Sequence, residues 1–131
     1  MRAYIVWLPD RAGTLADLSE ELGSKGINII GVAATTWEDR GAVALITDLP
    51  DETQVVLDQR SADYHAVELV EANLPDEPGM LGLAARRLAD RGINIQAVVP
   101  MGVSGGRRVV GFVVDIPAAA RDALGDLASS A

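Results

Sequence analysis

Leu8-Pro9-Asp10-Arg11-Ala12-Gly13-Thr14-Leu15 and Leu74-Pro75-Asp76-Glu77-Pro78-Gly79-Met80-Leu81 are the stretches on which the reading of this chain turns. They lie 66 residues apart, and the same offset carries Gly26-Ile27-Asn28-Ile29 onto Gly92-Ile93-Asn94-Ile95. Between Leu8–Gly31 and Leu74–Ala97, ten of 24 positions are identical without a gap. Chance would supply about one or two, so the chain reads as an internal duplication.

Working outward, each copy shows the same succession of patterns. An apolar, β-rich run over 2–8 ends at Pro9-Asp10, where proline cannot donate to a ladder and aspartate suits a turn. Leu15, Leu18 and Leu22 then recur at helical spacing over 14–25, with Asp17, Glu20 and Glu21 on the other face and Gly26 as the stop. Strands are expected over 27–36 and 42–47, joined by a polar turn at Trp37–Gly41. A second helix follows from Pro50 to about Gln59, with Val55 and Val56 inward and acids in its first turn. The second copy predicts strand 68–74, helix 80–91, strand 93–101, a hairpin loop at Ser104-Gly105-Gly106, strand 108–115 and helix 118–128. Its hairpin is expected to be one residue longer, since Asp48 corresponds to Asp115 at an offset of 67.

The repeating unit is therefore β-α-β-β-α. The fold class is α+β and ferredoxin-like, with duplicated βαββα repeats forming antiparallel sheet and the helices on one face. Residues 1–62 form the first repeat and 63–131 the second, sharing or exchanging the strand near 63–74. The last helix runs almost to Ala131, so the second copy is expected to lack the fourth strand of a ferredoxin-like half. A continuous sheet in the order 2-3-1-1′-3′-2′ would give the open edges partners. Leaving 63–67 as an edge strand of the first copy is the alternative.

Composition narrows the chemistry. The chain has 131 residues, too few for each copy of about 65 to be comfortably stable alone. Hydrophobic residues make up 49 % and aromatics 4 %, so the core is expected to be aliphatic. Eleven basic against 19 acidic residues give a net charge of −8, the wrong sign for nucleic acid. The absence of cysteine removes thiolate catalysis and Cys-type zinc sites, and a single histidine, His65, leaves little acid–base equipment. No apolar run approaches the roughly 18 residues of a membrane span. The N-terminal run lacks a signal cleavage site, which makes the cytoplasm the default.

Two repeated features could carry a function. The loops Asp10–Gly13 and Asp76–Gly79 lead from a strand into a helix, whose unpaired N–H groups and positive partial charge attract a carboxylate. Asp10 or Asp76 could meet an ammonium, so the corner suits a zwitterion. Plain turn chemistry accounts for the same residues. Asn28 and Asn94 stand where a helix hands over to a strand. Asparagine is at home in a turn, and its amide also offers a donor and an acceptor to a ligand.

Asp-x-Pro-Gly-x-Leu, a helix and then Gly-Ile-Asn-Ile closely resembles the ACT domain, the small ferredoxin-like module that senses amino acids in metabolic enzymes. The resemblance covers about residues 2–48 and 68–115; the second copy fits well, and the first has Ala12 where the family prefers proline. It implies an amino acid held at an interface between paired ACT units, where the loop of one unit faces the asparagine of another. By position the ligand-binding residues would be Asp10, Arg11, Ala12, Gly13 and Thr14 with Asn28 and Ile29, and Asp76, Glu77, Pro78, Gly79 and Met80 with Asn94 and Ile95. The expected protein is a non-enzymatic regulator without cofactor or metal, a homodimer that binds a small-molecule amino acid and could act on a partner enzyme, with no nucleic acid or membrane partner. The rival reading is a ligand-free scaffold that pairs with a metabolic enzyme or regulator.

Other conspicuous residues have plainer readings. His65 is isolated. Trp7 and Trp37 suit core or contact roles. Ser104-Gly105-Gly106 joins two strands rather than a strand and a helix, which argues against a phosphate cradle. The scattered acids show no calcium-loop spacing.

Overall fold

A computed structural model of the chain describes residues 1–129, which form six strands and four helices in two compact units. One unit is Arg2–Val67; the other takes Met1 and the chain from Glu68 on. The first contains strand β1 (Arg2–Pro9), helix α1 (Thr14–Ser24), strands β2 (Ile29–Trp37) and β3 (Arg40–Thr47), and helix α2 (Pro50–Gln59). Strand β4 (Asp63–Pro75) crosses from the first unit into the second. Helix α3 (Met80–Asp90), strands β5 (Ile95–Ser104) and β6 (Arg107–Val114), and helix α4 (Pro117–Leu124) follow.

The first unit has β3 antiparallel between β2 and β1; the second has β6 antiparallel between β5 and β4. In both, the two helices cover one face of the sheet. Tyr4 and Val6 of β1 and Val43 and Leu45 of β3 alternate inward and meet Leu18 and Leu22 of α1 and Val56 and Leu57 of α2. Their counterparts Val70, Ala72, Leu74, Phe112 and Val114 meet Ala84 and Leu88 of α3 and Ala120 and Leu124 of α4. Tyr64, in the part of β4 that belongs to the first unit, stands edge-on to Tyr4 with ring centroids 5.7 Å apart.

Several expectations are corrected by this packing. Leu15 is not part of the inward stripe of α1 but 44 % exposed, and in α2 Val55 is exposed while Thr53, Val56 and Leu57 face the core. Thr53 is tolerated there because its hydroxyl meets Thr47 Oγ1 at 2.7 Å and Leu49 O at 2.8 Å. Both hairpins turn through two residues with positive φ, Glu38-Asp39 and Gly105-Gly106, the geometry that matches strand twist. The extra residue of the second copy is therefore not in its loop. It is Met101, left unpaired in a bulge of β5 between Pro100, opposite Val110, and Gly102, opposite Val109.

The last helix also ends early. At Gly125 the chain takes φ 60° and passes through a 3₁₀ turn, Gly125–Leu127. It then returns to β4, where Ala128 bridges Ala72 antiparallel and Ser129 N–H donates to Glu71 O at 2.9 Å. The second copy thus has a minimal substitute for the fourth strand it was expected to lack. Arg87 secures the turn by donating to Leu124 O at 2.7 Å and to Asp126 at 2.6 Å. That guanidinium holds the Asp126 carboxyl below its ordinary range.

Candidate functional site

Each unit carries the same corner. The strand ends at Pro9 or Pro75, the chain passes the aspartate, and Gly13 (φ 94°) or Gly79 (φ 88°) turns it into the helix. A left-handed φ of this size favours glycine, because a Cβ would crowd the following carbonyl. Arg11 and Glu77 N–H groups close back on Pro9 and Pro75 carbonyls at 3.0 and 2.8 Å. Neither helix receives a side-chain cap. Thr14 and Met80 N–H donate back to the Arg11 and Glu77 carbonyls at 3.5 and 3.4 Å, so the N–H groups of Leu15 and Ala16 in α1 and of Leu81 and Gly82 in α3 are the ones available for an anion. Asp10, Arg11, Ala12 and Gly13 are exposed, as are Asp76, Glu77, Pro78 and Gly79, whereas Thr14 and Met80 are half-buried. Thr14 Oγ1 is engaged with the Pro9 carbonyl at 3.1 Å.

The asparagines are held by a device the sequence reading did not single out. Asn28 N–H donates to Asp48 Oδ1 at 2.8 Å, and Asp48 N–H donates to Asn28 O at 3.0 Å. Asn94 repeats this with Asp115 at 2.8 and 3.2 Å. The aspartates fix the asparagine main chain and leave both side-chain amides exposed. The register correspondence of Asp48 with Asp115 was the signal in the sequence. Ile29 and Ile95 are half-buried and pack against the two cores. A shallow cavity of about 430 Å³ runs beside Asn94, along Gly82, Ala85 and Ala89 of α3.

Within one unit, corner and asparagine are not brought together. They lie at opposite ends of an 11-residue helix, α1 or α3, whose length is about 16 Å. β2 and β5 pair on one side only, with β3 and β6, so each is the edge of its own unit's sheet.

The two corners differ in charge. Arg108 Nε donates to Asp76 Oδ1 at 2.7 Å, whereas Gly41 stands opposite Leu8 where Arg108 stands opposite Leu74. One position earlier, Arg40 stacks 4.5 Å over the Trp7 ring, while Arg107 bonds to Asn73 Oδ1 at 3.0 Å and to its carbonyl at 2.8 Å. A cleft of about 390 Å³ opens beside Asp76, walled by Leu74, Met80, Leu81, Val98, Pro100 and Val110. Trp37 is 79 % exposed at its hairpin, and His65 is exposed on β4. Among the described residues, no three His, Cys, Asp or Glu side chains converge as a metal site, and no helix is long and apolar enough to cross a membrane.

No protein-family model matches the chain, and no curated protein does. Among solved structures it is similar to protein BT0572 from Bacteroides thetaiotaomicron, with a TM-score of 0.83 and 18 % identity over 95 % of this chain and 86 % of that one. It is also similar to the ligand-free regulatory subunit of aspartate kinase from Thermus thermophilus, with a TM-score of 0.68 and 17 % identity over 96 % and 91 % of the two chains. The alpha and beta subunits of an aspartokinase give a TM-score of 0.64 at 17 % identity, over 96 % of this chain and 91 % of that one. The chain has the fold of these proteins.

Proposed function

We propose that this chain is an ACT-like regulatory protein that binds an amino acid between units and reports its concentration through association. The observation that carries the reading is the matched construction of the two halves. Each presents an uncapped helix start behind a left-handed glycine, an exposed aspartate beside it, and an exposed asparagine whose backbone is locked by an aspartate. The ligand carboxylate rests on the helix-start amides, and its ammonium is met by the corner aspartate and an asparagine amide.

Because a corner and an asparagine in one unit are a helix length apart, a different unit supplies the second half of the site. Two chains docked antiparallel along an exposed edge such as β5 reverse direction with respect to each other. The asparagine end of one then faces the corner end of the other. The similarity in fold to a regulatory subunit of aspartate kinase supports a regulatory rather than catalytic role. A ligand held in this way stabilises the bound form by about 2.7 kcal/mol at a hundredfold excess over its Kd.

Thermal unfolding of the protein with each common amino acid tests the proposal. One or a few should raise the melting temperature, and Asn94→Ala should remove the rise. If none shifts the transition, the ligand-free scaffold remains. That reading is favoured by the exposed apolar residues Leu15, Val32, Leu81 and Val98, which suit a protein contact without any ligand.

A further inference from the structure

The second corner is built to take one kind of amino acid, and its ion pair is the reason. The bond from Arg108 to Asp76 uses only Nε and one carboxylate oxygen. Among the described residues both terminal nitrogens of the guanidinium and the second oxygen of Asp76 make no other hydrogen bond, and the two side chains are 59 % and 44 % exposed. An exposed ion pair contributes little to stability, so its placement calls for another explanation. A guanidinium edge accepts a carboxylate through two parallel N–H···O bonds, and the adjacent carboxylate accepts an ammonium. Arginine and aspartate joined side by side therefore form the charge complement of a zwitterion, and need not separate to bind one.

Apart from Glu77, what lies beside this pair is apolar. The cleft of about 390 Å³ has Leu74, Met80, Leu81, Val98, Pro100 and Val110 along its walls. Its volume is near the lower end of small-molecule pockets, which suits a ligand of few atoms. Leu81 and Val98 are 50 % and 37 % exposed, so an aliphatic group entering here covers surface that water now reaches. The bulge at Met101 contributes to the shape, since Pro100, Gly102 and Val103 beside it all border the cleft. The first unit has neither device. β2 runs without a shift from Gly31 to Trp37, and the position of Arg108 is Gly41, where a Cβ would come within 3.1 Å of Leu8 O.

We propose that the Asp76 corner binds an aliphatic amino acid of the leucine, isoleucine or valine class, one per chain, with Arg108 joining the helix-start amides on its carboxylate, Asp76 meeting its ammonium together with the second unit's asparagine, and the Leu81–Val98 cleft taking its side chain. This rests on the amino-acid reading above and adds the ligand class, the stoichiometry and a residue, Arg108, that the repeat motif does not contain.

Isothermal titration calorimetry of the full chain with leucine, isoleucine, valine, glycine, lysine and aspartate tests it. The aliphatic three should bind at one per chain, at least about tenfold more tightly than glycine, lysine or aspartate. Arg108→Gln should weaken leucine at least about tenfold, and Arg91→Gln, which disturbs an exposed ion pair with Asp122, should not. Leu81→Gln should weaken leucine and narrow its advantage over glycine. All three substituted residues are exposed, so melting of each variant verifies an intact fold. Binding that prefers lysine or aspartate, or that Arg108→Gln leaves unchanged, overturns this proposal and leaves the amino-acid reading standing. No heat with any amino acid overturns both.

Discussion

Replacing Gly111 by alanine should destabilise the second unit, although alanine is ordinarily better in a strand than glycine. A Cβ at that position would lie 2.4 Å from Cδ1, 2.7 Å from Cδ2 and 2.8 Å from Cγ of Leu69, well inside the ~3.5–4.0 Å of carbon contact. Leu69 is 2 % exposed, so its side chain has little room to move aside. Overpacking of this kind costs about 1–3 kcal/mol. The lower chain entropy of alanine returns about 0.5–1 kcal/mol, leaving a net loss of about 0.5–2 kcal/mol. The first unit fills the same pair of positions differently, with Ala3 for Leu69 and Ala44 for Gly111. Leu69→Ala alone should cost about 2–5 kcal/mol by opening a cavity. The double variant recreates the alanine pair and should cost less than the sum of the two, by about 1–2 kcal/mol. Urea unfolding followed by circular dichroism gives all four stabilities. Additive losses, or a Gly111→Ala protein as stable as the parent, would refute the packing argument.

Gly13→Ala and Gly79→Ala should each cost about 1–2 kcal/mol through the left-handed φ alone, since nothing lies within 4 Å of the added Cβ; chemical denaturation measures it. Asp115→Ala frees the Asn94 backbone and should lower stability by about 1 kcal/mol while weakening ligand binding more than that, a divergence seen by running melting and calorimetry on the same variant. Asp126 has its carboxyl lowered on folding by the bond from Arg87, so the stability it contributes is present above the unfolded aspartate pKa and is lost as pH falls through the folded one. Asp126→Asn should therefore show less loss of stability than the parent as pH falls below about 4, which acid titration of the melting temperature will read.

The elements and their order were legible because three signals agreed: the repeat, the switch from helical to strand spacing, and proline and glycine at the joints. Helix α2 begins at Pro50 and ends at Gln59, where pattern and punctuation coincide. Legibility failed where the outcome depended on contacts distant in sequence. Leu15 has the spacing of a core residue yet sits on the first turn of α1 and is exposed. Val55 and Val56 are adjacent and only one can face inward, a choice made by Thr53 finding Thr47. The return of Ala128 to Ala72 follows from the left-handed turn at Gly125, which a run of alanines disguises as more helix. In the candidate site, the corner and asparagine motifs were readable as repeats. Arg108 was not, because its bond to Asp76 spans 32 residues and has no counterpart in the first copy.

Sedimentation velocity of the parent protein, without and with the amino acid that raises its melting temperature, should show chains drawn into a tighter assembly when ligand is present. An Asn94→Ala chain should show no such gain. A sedimentation profile unchanged at saturating ligand would contradict a site completed by a second unit.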